Sequence, residues 1–192
     1  MIKKLLAVSA VALSMVSVAR ADVAYSMPGI EAGFKLNTVD ADNATSNKQT
    51  TAIQAGGTIV FDLGSNRDFG IKTGLMYSER TFENDFGGLT LKGKISYAEI
   101  PLQLMFKFED YAGIFLGPSF ATKLGDDCTY SDGSTCALKN IKSTIIPITF
   151  GAQFKMAANF GLSLFFETVS GELADGMKSS RGIGANLLFV FD

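Results

Sequence analysis

The chain has no histidine and no tryptophan, and it has only two cysteines and four prolines among its 192 residues. The absence of histidine removes the base that ordinarily activates a serine, threonine or cysteine nucleophile. Polar pairs such as Ser163 and Glu167 are explained by the lining of an interior, although a lysine-activated serine remains as an alternative. We therefore expect no enzyme activity, no catalytic residues and no cofactor.

The chain also lacks basic clusters, and it has no apolar run as long as the ~20 residues of a transmembrane helix. It carries 17 basic and 19 acidic residues, and removing Lys3, Lys4 and Arg20 with the N-terminal segment leaves 14 against 19. An acidic chain of this kind has no electrostatic footprint for nucleic acid. If the chain spans a membrane, it must do so as a closed barrel, because only that form satisfies the backbone of strands in lipid.

The N-terminal segment has the features of an export signal. Lys3-Lys4 is followed by an uncharged, mostly apolar run over 5–18 and by Ala-Arg-Ala at 19–21. The run is too short for the ~20 residues that cross a bilayer. We predict a cleaved signal peptide over 1–21 and a single domain over 22–192.

The rest of the chain alternates apolar and polar residues in eight stretches. These stretches cover 29–37, 52–63, 69–79, 94–107, 112–124, 143–156, 160–169 and 181–191. The gaps between them alternate between long and polar (38–50, 80–93, 125–142, 170–180) and tight (64–68, 108–111, 157–159). Each stretch is about the 9–11 residues of a tilted membrane strand. The pattern predicts an all-β fold, an eight-stranded antiparallel up-and-down transmembrane β-barrel.

Three prolines interrupt this pattern. They stand at positions 101, 118 and 147, inside predicted strands, where each removes a ladder donor. Bulges are the expected remedy. Ile95 and Tyr97 are out of phase with Ile100 and Leu102. We therefore predict one extra residue, a β-bulge, near 98–100.

Charged and amide side chains alternate with the apolar residues, and their placement on one face of the predicted strands indicates which face meets lipid. This predicted lumen network consists of Lys35, Gln54, Lys72, Glu99, Gln103, Lys107, Gln153, Lys155 and Glu167. The opposite face is mainly Ile, Leu, Phe and Ala. The alternative is a soluble lipocalin-like periplasmic carrier, which points its apolar face inward around a ligand. That barrel needs charge on the water face of every strand, and the stretches 52–63 and 181–191 scarcely supply it. We expect the apolar face to meet lipid and the charges to pair inside.

Cys128 and Cys136 lie eight positions apart in the third long gap. In an oxidising compartment, two cysteines in one polar loop predict a disulfide. The alternative of a metal site lacks ligands, because two thiols without histidine make half a zinc site. Loop carboxylates show no fixed calcium-binding spacing. We therefore predict a disulfide and no metal.

Two segments carry a family resemblance. The sequences YAEIPLQL at 97–104 and GIFLGP at 113–118 resemble the small outer-membrane β-barrel family, with proteins similar to OmpX and the OmpA transmembrane domain, often labelled porin-like. The resemblance implies a Gram-negative outer membrane, termini in the periplasm and long gaps outside the cell. It also implies contact with outer-membrane lipid, lipopolysaccharide and the assembly machinery. Enzymes built on similar barrels rely on histidine, which this chain lacks.

The count of eight strands bears on function. Side chains fill the interior of so narrow a barrel, unlike the interior of a 16–18-stranded porin. We expect a filled polar lumen and a structural or surface-interaction role, with 38–50 and 125–142 as candidate surfaces for an extracellular ligand. The alternatives are a narrow porin-like channel for small solutes, the soluble carrier and, last, a lipid-modifying enzyme.

Overall fold

The computed structural model describes residues 25–64, 67–109 and 111–191, so the predicted signal segment 1–21 lies outside the described residues. The described part consists of strands and turns. The strands are β1 (Tyr25–Ala41), β2 (Ser46–Lys48), β3 (Thr50–Leu63), β4 (Phe69–Asp85), β5 (Thr90–Glu109), β6 (Ala112–Tyr130), β7 (Thr144–Ile145), β8 (Ile148–Ala157), β9 (Phe160–Ala174) and β10 (Met177–Val190). In these ranges no helix has the length and apolar character needed to cross a bilayer.

The strands form a closed ring of antiparallel pairs. The order is β1, β3, β4, β5, β6, β8, β9 and β10, and β10 pairs again with β1. Short β7 keeps the same register with β6 as β8 does, and β2 is an extra strand paired with β4. The wall is therefore an eight-stranded up-and-down barrel, and the predicted fold class is confirmed.

The strands extend beyond the predicted bounds at one end of the barrel. We name this the long-turn end, and the opposite end, which holds the tight turns, the short-turn end. The predicted gap 80–93 shortens to a turn at 86–89, and the gap 170–180 shortens to Asp175–Gly176. The longest connection is 131–143, between β6 and β7. The gaps looked like loops because their outward face is polar, although the backbone continues the ladder.

The outer wall carries a continuous apolar band. Leu104, Phe150 and Leu187 are 55%, 53% and 66% exposed, and each points away from the lumen. Beyond the band, toward the long-turn end, outward residues become charged, as at Glu83 and Lys92. An outward apolar face is suited to lipid and not to water. It rules out the soluble carrier, which needs the reverse arrangement.

The predicted bulge near 98–100 is wrong. β5 keeps one register with β4 along its whole length. Its register with β6 shifts between Ser96 and Tyr97, where Leu124 of β6 is the extra residue. Ile95 and Tyr97 are in phase with the strand and face the interior, where they are buried. The apparent phase change is a change in lumen chemistry from charged to apolar.

The prolines do not require bulges either. Pro101 pairs with Ser119, and Pro118 pairs with Ile148, without a register shift at either position. Pro147 separates β7 from β8, and its carbonyl accepts a hydrogen bond from the Ser119 amide at 2.8 Å. The missing donors leave local gaps in a ladder whose register is unchanged.

Candidate functional site in the barrel lumen

Arg80 of β4 is at the centre of a buried ionic network. Its Nη1 lies 2.7 Å from Glu99 Oε1, and its Nη2 lies 2.9 Å from Glu167 Oε1. The Nζ of Lys35 lies 2.8 Å from the same Glu167 oxygen and donates to Ser78 Oγ at 2.8 Å. These residues come from β1, β4, β5 and β9, so the network crosses the lumen.

A second network lies beside the first, around Lys72. Its Nζ is 2.6 Å from Glu31 Oε1 and donates to Gln153 Oε1 at 2.9 Å. Glu31 also accepts hydrogen bonds from Thr58 and Asn186, at 3.0 and 3.2 Å. Every member is less than a tenth exposed. The two networks bring together residues from widely separated parts of the chain.

The structure places the predicted lumen residues on the inner wall to different depths. Those that are buried are Lys35, Lys72, Glu99, Gln103, Gln153 and Glu167. Gln54, Lys107 and Lys155 are half-buried. Lys107 Nζ lies 2.6 Å from Asp62 Oδ1, and Gln54 donates to Asn186 Oδ1 at 2.9 Å.

The sequence prediction missed the buried charges Asp62 and Glu79, and it also missed two that belong to these networks, Arg80 and Glu31. Arg80 was assigned to the gap 80–93, so its place on a strand was overlooked. The signal was present, because Ser78, Arg80 and Asn84 continue the inward alternation of β4 and all are buried. With Arg80 and Glu31 included, the two networks hold three cations and three carboxylates. This balance matters because a buried charge is costly unless it is paired.

An apolar cluster fills the lumen on the long-turn side of these networks. It consists of Val39, Phe82, Ile95, Tyr97, Ala121, Cys128, Ile145, Val169, Leu173, Ala174 and Met177. The ring of Tyr97 connects the two layers, because the Arg80 guanidinium lies 5.0 Å from its centroid. A smaller cluster of Val60, Met105, Phe115 and Phe165 also packs inside the barrel. The lumen is therefore layered, with polar and apolar side chains both spanning it.

The space left between these layers is small. A cavity of about 50 Å³ is bordered by charged residues of both networks and by Ser163. Each water molecule occupies roughly 30 Å³ in the liquid, so the cavity has room for very few of them. The described lumen thus contains water-sized space and not a wide aqueous path.

The connection 131–143, which we name the lid segment, lies across the mouth of the barrel. The Lys142 amide donates to the Leu173 carbonyl at 2.8 Å, and the Asp175 amide donates to the Lys139 carbonyl at 3.0 Å. These bonds join the lid segment to the β9–β10 hairpin. Its inner side chains pack on the large apolar cluster; they are Cys136, Leu138 and Ile141.

Cys128 and Cys136 are joined by a disulfide, with their Cα atoms 5.2 Å apart. Cys128 belongs to β6 and is buried in the large apolar cluster. The Cys136 amide also donates to the Cys128 carbonyl at 3.3 Å. The disulfide therefore fixes Cys136, near the middle of the lid segment, to the barrel wall.

The predicted recognition loop 38–50 is mostly strand and is fastened to β4. Asn84 Nδ2 donates to the Val39 carbonyl at 2.9 Å, and Lys48 Nζ lies 2.7 Å from Glu83 Oε1. Lys92 lies 3.1 Å from the other Glu83 oxygen. These residues are beyond the apolar band. The hydrogen bond from Lys48 holds the pKa of the Glu83 carboxyl below its usual range.

A closed barrel with an outward apolar band and charges paired inside is an integral membrane β-barrel. Residues 22–170 match the sequence model of a protein family, which is described as outer membrane protein beta-barrel domain. The chain belongs to this family and is an outer-membrane protein. No curated protein sequence matches it.

Three solved structures are similar to this chain. Neisserial surface protein A has a TM-score of 0.55 at 12% identity, over 88% of this chain and 99% of its own. Ail, the attachment invasion locus protein of Yersinia pestis, has a TM-score of 0.44 at 16% identity, over 84% and 97%. OprG of Pseudomonas aeruginosa has a TM-score of 0.34 at 13% identity, over 86% and 97%. The similarity to Neisserial surface protein A supports the fold alone.

Proposed function

We propose that the domain 22–192 is a structural and surface-interaction barrel with a closed lumen, and that its function lies in the connections of the long-turn end. The observation that carries the proposal is the network that joins Lys35, Glu167, Arg80 and Glu99 across the lumen. Salt-bridged side chains from four strands occupy the space that a solute would need. The rigid wall then serves to hold the lid segment and the neighbouring turns outside the cell.

The second candidate function is a narrow porin-like channel. Two polar atoms in the lumen favour it, because Ser163 Oγ, which borders the cavity, and Arg80 Nε are buried without a hydrogen-bond partner in the described part of the chain. Such atoms are commonly satisfied by water. A conducting path, however, must also pass the cluster around Tyr97, where apolar side chains fill most of the lumen. The closed lumen is therefore the stronger proposal.

Catalysis is not part of the proposal. Ser163, the serine considered for a lysine-activated mechanism, is 1% exposed inside the barrel. A lipid substrate outside the wall has no access to it. In reconstituted membranes, the native barrel is expected to leave phospholipid and lipid A unmodified, as the Ser163→Ala variant does. The disulfide and the interior pairs then have roles in stability and shape.

The proposed partners follow from the surfaces. Outer-membrane lipid and lipopolysaccharide would cover the apolar band, the assembly machinery would insert the barrel, and an extracellular ligand would bind at the long-turn end. Nucleic acid is not among the proposed partners, because the chain is acidic.

Cysteine labelling in intact cells tests which end is displayed. In a variant with both native cysteines replaced by Ser, a single cysteine is placed at Thr135 in the lid segment or at Ala158 in the β8–β9 turn. A membrane-impermeant maleimide should label Thr135→Cys in intact cells and Ala158→Cys only after permeabilisation. The reverse pattern would contradict display of the long-turn end.

A further inference from the structure

A second cavity, of about 320 Å³, opens at the long-turn end between the lid segment and the neighbouring turns. Its apolar lining includes Phe86, Leu91, Tyr130, Leu138 and Met177. This volume is at the lower end of the roughly 300–1,000 Å³ of small-molecule sites. It is larger than the lumen cavity, and the lumen networks do not use it.

The apolar lining is not explained by contact with lipid. Phe86 is 38% exposed, and the strands beside it carry Glu83 and Lys92 on their outer faces. The cavity therefore lies beyond the apolar band, where water surrounds the barrel. Large apolar side chains kept exposed in a concave aqueous surface are typical of a binding site.

The walls of the cavity are fixed before any ligand arrives. The Asp42 amide donates to the Gly176 carbonyl at 2.7 Å, and the Phe86 amide donates to the Leu89 carbonyl at 3.0 Å. The disulfide holds Cys136, which lines the cavity. The floor continues into the large apolar cluster through Met177. A site with fixed walls loses little conformational freedom on binding.

Two acidic side chains at the rim already have partners, and the third charged residue of the lining, Lys139, is exposed to solvent. Asp42 lies 2.7 Å from Lys178, and Asp175 Oδ2 accepts a hydrogen bond from Asn140 at 2.8 Å. A cationic ligand would have to displace these partners, and an anionic ligand would gain little from Lys139, because an exposed ion pair contributes little. An uncharged apolar body of small size meets the lining without that cost. The shape is concave and small, which suits a small molecule and not a flat protein surface.

We propose that this cavity binds a small, uncharged apolar molecule from the external medium. The inference rests on the proposed display of the long-turn end, and it names the class of ligand that this end would take. Leu138 of the lid segment and Phe86 of the β4–β5 turn both line the cavity. The disulfide keeps the lid wall in place.

The absence of tryptophan allows a specific test. Phe86→Trp places the only indole in the cavity wall of the full barrel, held in lipid nanodiscs. The probe is N-phenyl-1-naphthylamine, an uncharged aromatic dye that accepts energy from indole. Titration should give a saturable one-site curve above the gradual rise from dye dissolved in lipid.

A matched pair of second substitutions separates the cavity from the lipid. Leu138→Asp puts a charge into the apolar wall, and it should weaken binding by at least about tenfold, because an unpaired charge is costly in an apolar site. Thr135→Asp puts the same charge on the exposed side of the lid segment and should change affinity less than about twofold. Both variants must run as folded barrels on unheated gels.

Equal affinity in the Leu138→Asp and Thr135→Asp variants would overturn the inference, and so would the absence of a saturable component. Neither result would alter maleimide labelling of the displayed end. Failure of the ligand site and failure of the proposed function are therefore distinguishable.

Discussion

At the scale of single residues, Arg80 has the largest effect on the lumen. Its guanidinium is fully buried and joins Glu99 to Glu167, while its face lies over Tyr97. Removing one partner of a buried ionic network is strongly destabilising, because the remaining charges stay buried without compensation. Arg80 also joins the charged layer to the apolar layer.

Arg80→Met should therefore lower the free energy of unfolding by about 3–5 kcal/mol. Urea unfolding in lipid vesicles, followed by the loss of the fast-migrating folded band, measures this change. Arg181→Met is the matched control, because the Arg181–Asp40 pair is exposed and should contribute nothing measurable. Equal unfolding curves for the two variants would show that the buried network does not carry the expected stability.

Glu83 gives a pH-dependent prediction beyond the apolar band. Its carboxyl pKa is lowered by the hydrogen bond from Lys48, with Lys92 also contributing. The Glu83 carboxylate is therefore paired at neutral pH. The pairing is lost as the pH falls through the lowered pKa, which lies below the ordinary value of about 4.3. Lys48→Met should move the Glu83 titration midpoint, followed by carboxyl chemical shift, up toward that ordinary value. An unchanged midpoint would show that Lys48 does not set it.

At the scale of elements, the lid segment depends on its attachment to the wall. The disulfide fixes one side, and the bonds from Lys142 and Asp175 fix the other. Closing a short loop restricts the unfolded chain by roughly 2–3 kcal/mol in the chain-entropy model. We expect this restriction to order the lid segment locally, because the strands have their own ladder.

Replacing Cys128 and Cys136 with Ser should speed hydrogen exchange at the Lys142 and Asp175 amides by at least about tenfold. Amides in the β9–β10 ladder below the lid segment should keep their protection. Hydrogen exchange with mass spectrometry measures both in one sample. Slow exchange throughout the variant would mean that backbone bonds and apolar packing hold the lid segment without the disulfide.

The strand prediction succeeded where the chemistry of each face is constant and failed where it changes. Within the apolar band, alternation located eight strands and the outward face. Toward the long-turn end of β5, Ile95 and Tyr97 replace charged inward residues. This change predicts a bulge in β5, although the register of β5 with β4 is constant. The same change hid Arg80, because polar outward residues made 80–93 look like a loop. Alternation reports contrast between faces, and it carries no information on which long-range partner fills a lumen.

At the scale of the whole molecule, the apolar band sets how the barrel sits in lipid. Leu164 is 46% exposed on β9, where its outward neighbours Leu162 and Phe166 are also apolar. Leu164→Arg should lower the free energy of unfolding by about 2–4 kcal/mol, as expected for a charge near the bilayer midplane. Urea unfolding in vesicles checks this, with Thr168→Arg, nearer the edge of the band, as the milder control. A larger loss of stability in the Thr168→Arg variant would show that the centre of the apolar band is not at Leu164.

The proposed closed lumen concerns all three scales, since residue pairs, apolar layers and the lid segment all lie along the path through the barrel. Single-channel recording in planar bilayers tests it most directly, with an open porin inserted by the same procedure as the positive control. The folded protein, checked by its faster migration before heating, should give no current steps above the bilayer baseline. Reproducible steps that scale with salt concentration would contradict the closed lumen and support the narrow channel.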